Sequence, residues 1–263
     1  MNQALRPVVT VIENKCVNCH RCIAVCPVKM ANDGSGSSVK INSDLCIGCG
    51  ECIGACTHGA RVGIDDTESF FDDLTAGKRI VAIVAPAVAS SFPDRYLQLN
   101  ACLATLGVVA IFDVSFGAEL TVKSYLEYIK NKKPATVIAQ PCPTLVSFVE
   151  TYRPELIPFL APADSPMVHT MKMVREWYPN LADCRMAVLS PCYSKKREFD
   201  ATGYGDYNVT FKSLAEWIER NGIKLDEFGA REYDNPPAER AVLFSTPGGL
   251  MRTAERCAPG ISE

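Results

Sequence analysis

The sequence predicts two successive regions: a small α+β module stapled by cysteines, then an α/β domain with a mostly parallel sheet. Three observations carry this. The chain has 13 cysteines in 263 residues, eight of them before Gly63. Their pattern repeats with a period of 30 residues, Cys16 recurring as Cys46 and Cys26 as Cys56. From Arg79 onward, short unbroken apolar runs alternate with segments of helical period.

The length suits one or two domains. An apolar content of 48% supplies a core for the longer region. The first sixty or so residues hold few large apolar side chains, so that region needs a staple. Net charge is −3 with both signs scattered; no basic run points to nucleic acid and there is no acidic tail. Met1 to Lys15 lacks the apolar core of a signal peptide. The longest apolar stretch, Ile80 to Ala89, is too short to span a bilayer and is broken by Pro86. These features lead to the expectation of a cytoplasmic chain without membrane insertion. Thiols stay reduced there, so clustered cysteines point to metal rather than to disulfides.

Residues 1–66 form the first expected domain, with Gly34-Ser35-Gly36-Ser37-Ser38 as an exposed turn between its two similar halves. Asp65-Asp66-Thr67-Glu68, followed by Phe70, Phe71 and Leu74, reads as the start of a linker helix over 67–78. Residues 79–263 make the second domain. Five apolar runs, Ile80–Val84, Val108–Phe112, Val137–Ala139, Met186–Leu189 and Ala241–Phe244, suit parallel strands covered on both faces. Helical stripes lie between them: Ala118, Val122, Tyr125, Leu126 and Ile129; Met167, Met171, Val174 and Tyr178; Leu214, Trp217 and Ile218. Each run leads into an unusual loop, among them Pro141-Cys142-Pro143 and Ser190-Pro191-Cys192. Ligands in open α/β sheets bind beyond the carboxyl ends of the strands, so the loops are expected to converge on one site.

Cys16-x2-Cys19-x2-Cys22-x3-Cys26-Pro27 is the bacterial ferredoxin run, and Cys46-x2-Cys49-x2-Cys52-x3-Cys56 repeats it with Thr57 in place of proline. Three thiolates two residues apart wrap one face of a [4Fe–4S] cube, and the fourth cysteine of each run crosses to the other cluster. The expected sets are therefore Cys16, Cys19, Cys22 and Cys56 on one cluster and Cys46, Cys49, Cys52 and Cys26 on the other. Cys-x2-Cys pairs also bind zinc, although zinc modules seldom repeat three consecutive steps with a crossing ligand. His20 and His58 read as solvent-facing side chains. The first region is thus expected to be a ferredoxin-like domain with two [4Fe–4S] clusters.

Cys142 and Cys192 have no Cys-x2-Cys partner, and residue chemistry alone reads them equally well as buried thiols. Their company says more. Pro141-Cys142-Pro143-Thr144, Glu150, Pro154-Glu155-Leu156 and the stretch Ser190 to Glu198 together resemble the catalytic domain of [FeFe]-hydrogenases. The run Phe112 to Thr121 and Pro247-Gly248-Gly249 add to the likeness, which covers essentially the whole chain. The resemblance implies that Cys142 and Cys192 bind the [4Fe–4S] part of an H-cluster. It implies that Lys195 hydrogen-bonds a cyanide of the attached di-iron unit, a charge-assisted bond suited to an anion held away from water. It places Glu198 on a proton route.

Three departures from the family pattern stand out. Pro141 replaces a proton-shuttling cysteine, Lys123, Ser124 and Tyr125 stand where a relay glutamate is expected, and Ala87 replaces a serine. General acid–base groups contribute about 10²–10⁴-fold, so the pattern resembles the sensory branch of the family more than its fast catalysts. The family's third cysteine motif is not matched by Cys257, so the chain is expected to be part of a longer protein. The expected function is electron transfer with H₂ sensing or slow H₂ turnover once an H-cluster is complete. The expected partners are a ferredoxin or reductase, and H₂. Two alternatives stay open: an electron carrier with an α/β docking domain, and a scaffold for iron–sulfur assembly.

Overall fold

Alternating punctuation and short runs in the first sixty residues leave room only for small elements, and the computed structural model, which describes residues 5–261, shows them. Strand β1 (Val9–Val11) comes first, then helix α1 (Arg21–Ala24), the hairpin β2 (Asn32–Asp33) and β3 (Lys40–Ile41), helix α2 (Glu51–Gly54) and β4 (Arg61–Gly63). β1 pairs antiparallel with β4, bringing the two ends of the region together. β2 pairs antiparallel with β3. The Gly/Ser tract is the turn between them, pinned by Asn18 Nδ2 donating to the carbonyls of Gly34 and Gly36 at 3.1 and 2.9 Å.

The sequence repeat is also a backbone repeat. Asn18 and His20 have φ of 51° and 63°, and the residues thirty positions on, Gly48 and Gly50, have φ of 73° and 84°. Left-handed residues between successive cysteines turn the chain sharply, and Asn and His are among the non-glycine residues that tolerate this best.

In the rest of the chain come helix α3 (Thr67–Thr75), β5 (Ile80–Val84), α4 (Val88–Ser91), α5 (Tyr96–Thr105), β6 (Val108–Asp113) and α6 (Val114–Lys132). They are followed by α7 (Pro143–Tyr152), α8 (Pro166–Trp177), β7 (Arg185–Ser190), α9 (Lys195–Thr202), β8 (Tyr207–Thr210), α10 (Phe211–Arg220) and α11 (Gly249–Cys257). The sheet is parallel with four strands in the order β6-β5-β7-β8. All five residues of β5 are 0% exposed, the pattern of a central strand covered on both faces. Helices start where side chains can cap them. Asp113 accepts from the Ser115 N–H at 3.0 Å for α6, and Thr210 accepts from the Ser213 N–H at 3.2 Å for α10.

Two of the five expected strands do not form. Residues 137–139 contribute one isolated bridge, Ile138 to Leu160. Residues 242–244 are turns, with Val242 and Leu243 exposed. The reason lies upstream of that run. Glu119 Oε1 accepts the N–H groups of Glu239, Arg240 and Ala241 at 2.6, 2.6 and 3.3 Å, curling the backbone around a carboxylate. In their place, Tyr207–Thr210 makes the edge strand. Asn208 interrupts its apolar character but is buried, its N–H donating to Asp66 Oδ2 and its carbonyl accepting from the Asp66 N–H, both at 2.8 Å.

Backbone packing divides the chain into two compact units that do not follow sequence order. One comprises Met1–Asp65, Cys142–Pro158 and Cys192–Ala201; the other comprises Asp66–Pro141, Phe159–Pro191 and Thr202–Glu263. Residues 1–4 and 262–263, the outer ends of the two expected domains, lie outside the described residues. Helix α3, expected as a linker, is core material of the second unit. Phe70 and Phe71 are buried, Phe71 stacks on Trp217 at 3.4 Å, and Phe70 meets Tyr207 edge-on. Phe70→Ala is expected to cost about 3–5 kcal/mol of stability, read as a lower urea midpoint with unchanged slope. A loss below about 1 kcal/mol would mean that α3 does not belong to this core.

Candidate metal centre

The four cysteines of each expected set share one concavity. Cys16, Cys19, Cys22 and Cys56 line the first, with Val39, Ala60 and Arg61. Cys26, Cys46, Cys49 and Cys52 line the second, with Val9, Val28, Ile41 and Ile47. The space not filled by protein atoms is about 310 Å³ in the first and about 350 Å³ in the second. So Cys56 faces the set thirty or more residues before it, and Cys26 faces the set that follows, because β1–β4 pairing folds one half back upon the other. His20 and His58 are exposed at the rim of the first concavity. A larger groove between α6 and α11, about 1440 Å³ on the same measure, includes Cys257 in its wall, but no second cysteine.

Backbone and side-chain donors are aimed at the sulfurs. The Val39 N–H donates to Cys16 Sγ at 3.4 Å, and Arg61 Nη2 donates to Cys22 Sγ at 3.2 Å. At Cys56 burial pushes the thiol up, but the backbone N–H groups of Arg61, His58 and Ala60, with the Arg61 charge, outweigh it and hold the thiol below its usual range. At Cys52 burial prevails and raises the thiol to about 11, although the Arg61 charge opposes it. Burial likewise raises Cys49.

These donor sets fit two four-iron clusters better than zinc. Among the described residues, no three His, Cys, Asp or Glu side chains gather closely enough to hold a single ion. Zinc draws its sulfurs to within about 2.3 Å of one point. A [4Fe–4S] cube instead holds its thiolates on separate corners, and sulfur-directed N–H donors suit its charge.

Cys142 and Cys192 belong to the first unit together with these cysteines. Cys142 is exposed and precedes Pro143, the first residue of α7, while Cys192 is partly buried. Burial raises the Cys192 thiol, the Lys195 charge and two backbone N–H groups lower it, and Cys142 is close enough to raise it further. Their segments are tied to the backbone around Cys46. Tyr152 Oη donates to the Leu45 carbonyl at 2.7 Å, Arg197 Nη1 to the Cys46 carbonyl at 2.7 Å, and Ser194 Oγ to the Gly48 carbonyl at 2.7 Å. Thr144 Oγ1 donates to Ser194 Oγ at 3.2 Å, joining the Cys142 and Cys192 segments. Two of these crossings are tight: a Cβ on Gly48, which has a positive φ, would meet Ser194 Oγ at 2.2 Å, and one on Gly63 would displace the Tyr193 ring, 2.0 Å away.

Lys195 and Glu198 are brought together, Nζ to Oε2 at 2.8 Å on one face of α9, both nearly buried. The run Lys195-Lys196-Arg197 is therefore no simple surface patch: Lys195 and Arg197 are both buried. Cys102 and Cys184 lie in the core of the second unit. Arg61, Tyr152, Ser194 and Arg197 are the residues that sequence reading passed over. Arg61 alone carried a signal, as a charge flanked by Ala60 and Val62 in a strand just after a cluster motif.

Comparison with known proteins accords with this geometry. The family model "Iron only hydrogenase large subunit, C-terminal domain" matches residues 78–262, and the model "4Fe-4S dicluster domain" matches residues 9–57. The chain belongs to the iron-only hydrogenase large-subunit family. NADP-reducing hydrogenase subunit HndD of Solidesulfovibrio fructosivorans is 25% identical, across 93% of this chain and 50% of its own length. Iron hydrogenase 1 of Clostridium pasteurianum is 26% identical, across 88% of this chain and 53% of its own. A solved variant of [FeFe]-hydrogenase HydA1 from Chlamydomonas reinhardtii is 26% identical with a TM-score of 0.60, covering 73% of this chain and 57% of that one. The chain spans about half the length of the curated relatives it matches. It is an iron–sulfur electron-transfer protein related to [FeFe]-hydrogenases.

Crossed ligation has a direct test in iron, sulfide and EPR analysis of anaerobically prepared variants. Cys16→Ser with Cys56→Ser should lose one cluster and keep the other, whereas Cys46→Ser with Cys56→Ser should lose both. The reverse outcome would show that each run holds its own cluster.

Proposed function

We propose that this chain carries electrons to or from a hydrogenase-like centre that senses H₂, or turns it over slowly. Residues 1–66 would act as the cluster-bearing domain, 67–78 as the connection and 79–263 as the hydrogenase-like domain. Cys16, Cys19, Cys22 and Cys56 would hold one [4Fe–4S] cluster, and Cys26, Cys46, Cys49 and Cys52 the other. Cys142 and Cys192 would contribute to an H-cluster completed by further cysteines. When bound, such groups supply one-electron redox chemistry and, at the di-iron unit, H₂ chemistry.

The observation that carries this reading is the bonding of the Cys142 and Cys192 segments to the Leu45–Gly48 backbone through Tyr152, Ser194 and Arg197. Those bonds hold two otherwise unexplained thiols beside one cysteine set, within one compact unit. Lys195, charged and nearly dry, supports a role in binding an anionic ligand, and Glu198 keeps its charge balanced in the meantime. The slow or sensory character is supported by Pro141, which has no proton to pass next to Cys142. A cytoplasmic setting accords with 13 free cysteines, and the electron partner would be a ferredoxin or reductase. Among the described residues no helix is long and apolar enough to cross a membrane.

One observation favours a second reading, an electron carrier with an α/β docking domain. The other eight cysteines of the first unit line the two concavities without Cys142 or Cys192. The two readings separate by infrared spectroscopy after co-expression of the full-length gene with di-iron maturation proteins. CO and CN⁻ stretching bands that vanish in Cys142→Ser and Cys192→Ser are the expected result. Iron accounted for by two cubanes alone, with no such bands, favours the carrier.

A further inference from the structure

We propose that Arg61 sets the reduction potential of the cluster held by Cys16, Cys19, Cys22 and Cys56 above that of the cluster held by Cys26, Cys46, Cys49 and Cys52. The inference rests on the two-cluster reading above and adds an order to the pair.

Arg61 opens β4 opposite Val11 and is only 3% exposed. Its Nη2 donates to Cys22 Sγ at 3.2 Å and to the Val39 carbonyl at 3.3 Å. Its Nη1 is buried without a hydrogen-bond partner among the described residues, and none of the ion pairs to a carboxylate found among them involves it. An arginine this dry is costly unless something negative balances it. The residue lines the concavity of the first cysteine set. Four thiolates around a four-iron, four-sulfide core leave that site net negative, so the orphaned guanidinium finds its counter-charge in a bound cluster.

The charge acts unequally on the two oxidation states. Reduction adds one electron to the cluster and makes it more negative by one charge. Arg61 stays protonated throughout, so no proton moves and the fixed cation stabilises the reduced form more than the oxidised one. Net charge and hydrogen bonds to the sulfurs are among the levers that set cluster potentials. The second concavity has no charged side chain in its wall, only Val9, Val28, Asn32, Ile41 and Ile47 beside its cysteines and glycines. Two buried cations bear on this second site: Arg61 itself, through Cys52, and Arg197, whose Nη2 is also without a hydrogen-bond partner among the described residues. Among those residues, however, the only sulfur to which Arg61 donates is Cys22 Sγ of the first set, and Arg197 donates to the carbonyls of Arg6 and Cys46 and to Ser147 Oγ rather than to a sulfur. Arg61 therefore favours the first site, and an electron shared by the two clusters should reside there.

The test is an EPR-monitored redox titration of the full chain, reconstituted anaerobically with iron and sulfide, in wild-type, Arg61→Lys, Arg61→Gln and Arg61→Met forms. In the neutral variants the equilibrium constant for reducing one cluster should fall at least tenfold, which for one electron is a midpoint lower by about 59 mV. That cluster should be the one missing in Cys19→Ser, and the other should move by less than half as much. Arg61→Lys should keep most of the wild-type midpoint. Unchanged midpoints in Arg61→Gln with both clusters intact would overturn the proposal. So would an equal shift in Arg61→Lys, which would trace the effect to shape rather than charge. Failure of both neutral variants to assemble the first cluster, with Arg61→Lys assembling it, would also overturn it, making the residue a builder of the site. A wild-type protein holding no cubanes would instead remove the two-cluster reading beneath it.

Discussion

The N-terminal region is organised by the need of eight thiols to face two small spaces in crossed sets of four. Its buried apolar side chains are few and small, among them Val8, Val9, Ala31, Val39 and Ile47. Such a set cannot offset the conformational entropy of ordering sixty residues. Iron–sulfur ligation supplies the missing cohesion, since a metal site absent from the unfolded chain contributes its binding energy to folding. Cys26 and Cys56 each line the concavity of the opposite half, so neither half encloses its own space alone.

The same region organises segments far away in sequence. Helix α7 and the start of α9 are separated from it by parts of the parallel-sheet unit, yet they pack with it. Three side chains, Tyr152, Ser194 and Arg197, each donate to a carbonyl between Leu45 and Gly48. Carbonyls removed from water need donors, and the tight turn around Cys46 leaves these without neighbours in a helix or sheet. The left-handed backbone of Gly48 thus serves twice, shaping the turn and leaving room for Ser194.

Much of this was legible beforehand. Spacing singled out the eight cysteines that line the two concavities, because each step between them is local and the repeat is visible at thirty residues. Helical stripes placed α6, α8 and α10, and β5, β6 and β7 stood out as apolar runs. Legibility failed where a long-range polar contact decides the outcome. The run Ala241–Phe244 has strand composition, but Glu119 captures its preceding N–H groups. Tyr207–Thr210 looks broken at Asn208 until Asp66 supplies its hydrogen bonds. Lys195 and Arg197 are buried although they belong to three consecutive cationic residues.

The sequence by itself determined what chemistry the protein can hold: cubane-type cysteine spacing, two further thiols beside prolines, and an α/β pattern around them. Those properties follow from residue type and short-range spacing, which the chain carries whether folded or not. Only the tertiary structure decided which segments share a compact unit, that α3 is core, and that Arg61 stands dry beside one cysteine set. Burial and charge balance depend on neighbours distant in sequence, and a linear pattern does not contain them.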